Sequence, residues 1–163
     1  MNPILAGIIA FFVSFGLPIL IGASRKSYGQ EWYRRLKKPR YSTSDLTVNL
    51  FFLIIYLVET IALYLFLTID EPSSMIIYTG WFLLTAVLSG VWSRLFFQYR
   101  RCDWALYALI VEIPLLWGLV LASYSTANSA WMFLLPRATW GLYAVLLNEG
   151  LYRLNLDFWK SQK

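Results

Sequence analysis

Residues 3–23 read PILAGIIAFFVSFGLPILIGA, a run without a single charge. At about 1.5 Å of rise per residue, such a helix spans the roughly 30 Å hydrocarbon core of a bilayer, which takes about 20 apolar residues. Four further stretches share this character: Leu46 to Ile69, Met75 to Tyr99, Trp104 to Tyr124 and Ala130 to Leu151. They predict an all-α fold, an integral membrane bundle of five transmembrane helices forming one domain over residues 1–163, with a long loop at 24–45. Composition agrees. Of 163 residues, 59% are hydrophobic and 14% charged, too few polar side chains to coat a soluble globule and too little chain outside the spans for a second domain. The opening Met1-Asn2-Pro3 lacks the basic region and small-residue cleavage site of a secretory signal, so the first span is expected to stay in place.

Five crossings put the 24–45 loop, residues 100–103 and the carboxyl tail on one side. That side carries Arg25, Lys26, Arg34, Arg35, Lys37, Lys38, Arg40, Arg100, Arg101, Arg153, Lys160 and Lys163, against Asp70 and Glu71 with no Lys or Arg opposite. By the positive-inside rule the amino terminus faces outside and the carboxyl terminus is cytoplasmic. The net charge of +5 then reflects topology and contact with membrane lipid, and no nucleic acid is needed to explain it.

The chain has no histidine, which removes Ser-His-Asp triads, Cys-His dyads, histidine zinc sites and histidine-ligated haem. Glycine-rich phosphate loops, HExxH and CxxC are missing too. Cys102 is alone, so it forms no internal disulfide and reads as a spectator thiol. No catalytic residue, metal site or required cofactor is expected.

Aromatic side chains are in excess, at 18% with eight tryptophans. Trp32, Trp104, Trp131 and Trp159 fall at span ends or in loops and fit an interfacial belt. Trp81, Trp92, Trp117 and Trp140 fall deeper, where they either pack against lipid or line an aromatic cavity for a flat apolar ligand. The 24–45 loop exceeds the usual 2 to 8 residues of a helix connection and holds Tyr28, Trp32, Tyr33, Pro39 and Tyr41. It reads as a lid over the bundle or as a segment lying on anionic headgroups.

Five ionisable residues fall within the spans, where charge is expensive. Arg94 and Glu149 lie near the cytoplasmic ends and can snorkel. Counted from the outer span ends, Arg137 sits about 10 Å deep, Glu59 about 15 Å and Glu112 about 18 Å. Arg137 is expected to pair with Glu59, as a structural tie or with a proton or ligand role. Pro18 and Pro114 predict kinks. Gly7, Gly16, Gly22, Gly141 and Gly150 either permit close helix approach or face lipid.

Several fragments, in order, resemble the tryptophan-rich sensory proteins, whose animal members are called translocator proteins or peripheral benzodiazepine receptors. Trp32-Tyr33-x-x-Leu36-x-Lys38-Pro39 is similar to that family's loop motif WYxxLxKP. Trp92-Ser93-x-Leu95-Phe96-Phe97 resembles its third-helix WSxLFF, and Trp104-Ala105-Leu106 the start of its fourth helix. Leu134-Leu135-Pro136, Trp140, Leu147-Asn148, Arg153 and Asn155 are similar to its fifth-helix pattern. There are departures: Tyr41-Ser42-Thr43-Ser44 replaces WxPP, Phe52 a pocket tryptophan, Thr85 and Ser89 a QxxxN pair, and Pro136-Arg137 the dipeptide PY. Glu149 stands where a proposed sterol motif carries tyrosine, which ranks sterol below tetrapyrrole.

The resemblance implies a five-helix bundle, often a homodimer, with a pocket beneath the cytosolic loop. Its ligand-binding residues carry over to Tyr33 in the lid, Phe52 and Tyr56 on the second helix, and Ser89, Trp92 and Phe96 on the third. Trp140, Ala144, Leu147 and Asn148 complete the set on the fifth. The implied ligand is a tetrapyrrole, porphyrin or haem, or another lipophilic small molecule such as a sterol or a synthetic isoquinoline carboxamide. The implied role is binding or sensing. The alternatives are light- and oxygen-dependent porphyrin degradation, which loss of the Phe52 indole puts in doubt, and transport. The implied location is a bacterial inner membrane or an organelle membrane such as the mitochondrial outer membrane.

Overall fold

The computed structural model describes residues 2–22, 27–126 and 128–156. Five long helices carry the fold: α1 (Pro3–Gly22), α3 (Asp45–Leu67), α4 (Pro72–Ser93), α5 (Cys102–Ser125) and α6 (Ala130–Leu154). All five are long and apolar enough to cross a membrane. A short helix, α2 (Ser27–Arg35), forms inside the 24–45 loop.

The helix ends explain where the predicted spans were short. Ser44 caps α3 by accepting from the Thr47 amide at 3.2 Å, so that helix begins before Leu46. Glu71 caps α4, accepting from the amides of Ser73 at 3.1 Å and Ser74 at 2.6 Å. Pro72 takes the first helical position, where its missing N–H costs nothing, and the helix starts three residues ahead of Met75. At the other end α4 widens into a π-helical turn, Arg94–Gln98, in which the Tyr99 amide donates to the Arg94 carbonyl at 3.1 Å. The wider turn carries Phe96 and Phe97 round toward the lid. Arg100 follows at φ 54°, the left-handed residue that allows the tight link into α5.

The helices close a ring in the order α1, α4, α5, α6, α3 and back to α1. Outward faces carry large apolar side chains, such as Ile4, Phe12 and Leu20 on α1 and Ile76 and Ile77 on α4, as lipid contact requires. Inside the ring, one apolar cluster fills the end away from the lid, around Phe66, Phe82, Leu116, Leu119 and Leu134. A second fills the lid end, where Trp32, Leu36, Phe96, Cys102, Ala105 and Leu151 pack together.

Several expectations are corrected here. Trp32 is buried against Phe96, with ring centroids 5.4 Å apart, and does not belong to an interfacial belt. Trp104 is exposed as a belt residue should be, while Trp131 packs on the apolar core. Gly7 and Gly16 face open space and mediate no close approach. Gly141 and Gly150 do: a β-carbon at Gly141 would strike Ile113, and one at Gly150 would strike Tyr41 and Pro39. Pro18 and Pro114 lie inside α1 and α5, where the sequence placed them. Ala23, Arg25, Lys26, Trp159, Lys160 and Lys163 lie outside the described residues.

Candidate functional site

The lid is pinned to α6 at two places. Asn155 clasps the backbone of Lys37: its Oδ1 accepts from the Lys37 amide and its Nδ2 donates to the Lys37 carbonyl, both at 3.0 Å. Further along, the Tyr143 hydroxyl donates to the Tyr41 carbonyl and accepts from the Thr43 amide, both at 3.1 Å. Tyr41 in turn donates to the Leu146 carbonyl at 2.9 Å. Between these tethers the loop is drawn across the end of the ring.

Beneath it lies a cavity of about 160 Å³. Tyr33 lines it from the lid, Phe52 from α3, and Trp92, Phe96 and Phe97 from the end of α4. Trp140, Tyr143, Ala144, Leu147 and Asn148 line it from α6. A smaller cavity of about 40 Å³ lies deeper, and Phe52, Trp92, Trp140 and Ala144 border both. Tyr56 and Ser89 face only the deeper one. All ten residues carried over from the resemblance therefore surround one or other of two adjoining spaces. Val48, Asn49, Phe97, Tyr143 and Leu151 line the larger cavity without having been singled out. Tyr143 could have been found: it lies three residues beyond Trp140, one helical turn along the same face.

The aromatic walls are mutually braced. Trp92 stacks on Phe96 with centroids 5.8 Å apart, and its indole N–H points to Asn148 Oδ1 at 3.4 Å. The same Asn148, wholly buried, donates to the Cys102 carbonyl at 2.8 Å, so α5 fixes the amide that aims the indole. Trp140 stacks on Phe51 at 4.8 Å and meets Phe52 edge-on at 5.9 Å. Of the four deep tryptophans, Trp92 and Trp140 line the cavities, while Trp81 and Trp117 pack on the apolar core.

Tyr33 closes the roof. Its ring meets Phe96 at 5.9 Å and Phe97 at 6.1 Å, and Lys38 Nζ sits 4.2 Å from its centroid. Burial, assisted by the negative charge of Asp45, pushes the Tyr33 phenol up from the usual 10 to about 12. The folded lid therefore holds that proton more tightly than the unfolded chain does. The resulting stability is fully present below pH 10 and is lost as pH rises from about 10 through about 12. Alkaline difference spectroscopy of wild type against Tyr33→Phe should show one phenolate forming near pH 12 that the variant lacks. A difference titrating near 10 would mean the lid does not cover Tyr33.

Arg34 also borders the larger cavity, 3.9 Å from Asp45, and Lys38 lies the same distance from that carboxylate. The mouth thus carries two cations around one anion.

In the middle of the ring, Arg137 Nη1 donates to Glu59 Oε1 at 2.6 Å, as the depth count predicted. Its Nη2 donates to Glu112 Oε1 at 2.8 Å and to the Thr85 carbonyl at 2.6 Å. Ser89 completes the set, donating to Glu112 Oε1 at 2.9 Å. Arg94 and Glu149 instead sit at the helix ends, where Arg94 bonds Gln98 and Glu149 bonds Arg153.

A family model for the TspO/MBR family matches residues 8–153. The chain belongs to the TspO/MBR family. The matched region holds both cavities, the charge cluster and the lid tethers except Asn155. This TspO/MBR protein is thus an integral membrane protein of a family that handles lipophilic small molecules. A search of curated proteins returned no match.

Proposed function

We propose that this TspO/MBR protein is a membrane-embedded binding protein or sensor for a flat hydrophobic ligand, foremost a tetrapyrrole, held beneath the lid. The observation that carries this reading is the cavity itself, apolar and aromatic on its walls with a polar, cationic mouth. Rings would stack on Trp140 and Trp92, and Arg34 and Lys38 would exchange Asp45 for the ligand's carboxylates.

Size sets the mechanism. A cavity of about 160 Å³ suits one aromatic ring, since an engineered cavity of about 150 Å³ takes benzene. Larger ligands occupy pockets of roughly 300 Å³ or more. A macrocycle therefore requires the Tyr33 stretch to lift, and that stretch is held by ring contacts while its neighbours Lys37 and Tyr41 to Thr43 stay tethered. Dark titration of the purified protein with protoporphyrin should give saturable quenching of tryptophan fluorescence at one ligand per chain. Quenching that grows only with detergent partitioning would overturn the reading. Repeating the titration under illumination separates binding from degradation, because only degradation consumes the porphyrin.

The charge distribution supports an outside amino terminus and a cytoplasmic lid. In a Cys102→Ala background, Ser42→Cys should label from the cytoplasm and Ser74→Cys from the opposite face of intact membranes. Labelling of both from one face would refute the arrangement.

A further inference from the structure

The deeper cavity has charge chemistry that ligand stacking does not use. One guanidinium, Arg137, faces two carboxylates, Glu59 and Glu112, all three almost completely buried, which leaves a surplus negative charge in the interior of the bundle. All five long helices contribute to the surroundings: Arg137 from α6, Glu59 and Tyr56 from α3, Ser89 and the Thr85 carbonyl from α4, Glu112 from α5, and Ser14 and Pro18 from α1. Among the described residues no other charged side chain borders this cavity.

Two oxygens there have no hydrogen-bond partner: Glu112 Oε2 and Ser14 Oγ, each on a residue 2% exposed. The contrast within Glu112 is informative. Its Oε1 accepts from both Arg137 and Ser89, while its Oε2 accepts from nothing. That is the pattern of a carboxylic acid whose carbonyl oxygen is satisfied and whose hydroxyl points into free space. A bare carboxylate oxygen left there would carry the desolvation cost of an unpaired charge.

We propose that the Glu59–Glu112–Arg137 cluster is a proton-binding site holding one proton at neutral pH, seated on Glu112 Oε2. The proton brings the cluster to neutrality and turns the orphan acceptor into a donor. The cavity of about 40 Å³ has room for about one to three waters, which can accept that proton's hydrogen bond and donate to Ser14 Oγ. A metal cation fits less well. Hard divalent ions take about six oxygens, and among the described residues only two fully buried side-chain oxygens at this cavity are without a partner. The site stands one residue layer from the larger cavity, behind Phe52, Trp92, Trp140 and Ala144.

Infrared spectroscopy of the purified protein reads this directly. Wild type at neutral pH should show a carboxylic acid C=O band that shifts in heavy water. It should vanish in Glu112→Gln and also in Glu59→Gln, because either change leaves Arg137 with one carboxylate and no need for a proton. Ser89→Ala should shift the band, since Ser89 bonds the Glu112 carbonyl oxygen. Absence of the band in wild type would overturn the proposal without recourse to any variant. So would stabilisation by sodium but not by choline in protein lacking the band, which would make the occupant a metal cation. A band that persists in Glu112→Gln, or is unmoved in Ser89→Ala, would place the proton elsewhere and refute its assignment to Glu112.

Discussion

Arg137→Met is expected to lower the stability of the bundle by about 3 to 5 kcal/mol, because it strands the buried Glu59 and Glu112 carboxyl groups without a cation. Glu59→Gln and Glu112→Gln should each cost far less, since each leaves a guanidinium matched to one carboxylate. The triple variant Arg137→Met, Glu59→Gln, Glu112→Gln should recover most of the loss, a non-additivity typical of residues sharing one network. Denaturant unfolding in micelles measures all four. Additive losses would show that the three groups do not act as a cluster.

The second large effect concerns the cavity wall. Trp140→Ala should weaken protoporphyrin binding by about 1 to 3 kcal/mol, the range for aromatic stacking on flat rings, or about 5- to 150-fold in affinity. Trp140 borders both cavities and is braced by Phe51, Phe52 and Tyr143, so a ring stacked on it meets a fixed surface. An affinity unchanged in this variant would return Trp140 to a packing role.

The spans were legible because hydrocarbon thickness and lipid-facing apolar surface impose length and composition directly on a helix. Arg137 meeting Glu59 was legible for a related reason: counting residues from the span ends gives depth. The same count placed Glu112 at about 18 Å and so missed it as a second partner of Arg137. Helix tilt displaces depths by several ångströms, and an arginine has two nitrogens with which to serve partners on different helices. Trp32 shows the opposite failure. A loop tryptophan among basic residues reads as a belt residue, yet α2 and the Asn155 clasp fold it inward against Phe96. Nothing local in residues 24–45 encodes that, because the partners lie more than sixty residues away. The cavity residues came from the resemblance, and what geometry adds is their division between two spaces. Ser89 shows why this matters: assigned to ligand binding, its hydroxyl is committed to Glu112.

Under the proposed function the ligand sits beneath the lid, and the Tyr33 stretch must lift to admit it. Amide hydrogen exchange with and without saturating protoporphyrin tests this most directly. Exchange should change across residues 31–36, the Tyr33 stretch, and stay unchanged at the Lys37 amide held by Asn155 and through the lipid-facing length of α1. Saturable binding with no change anywhere in the lid would contradict the account and put the ligand on the outside of the bundle.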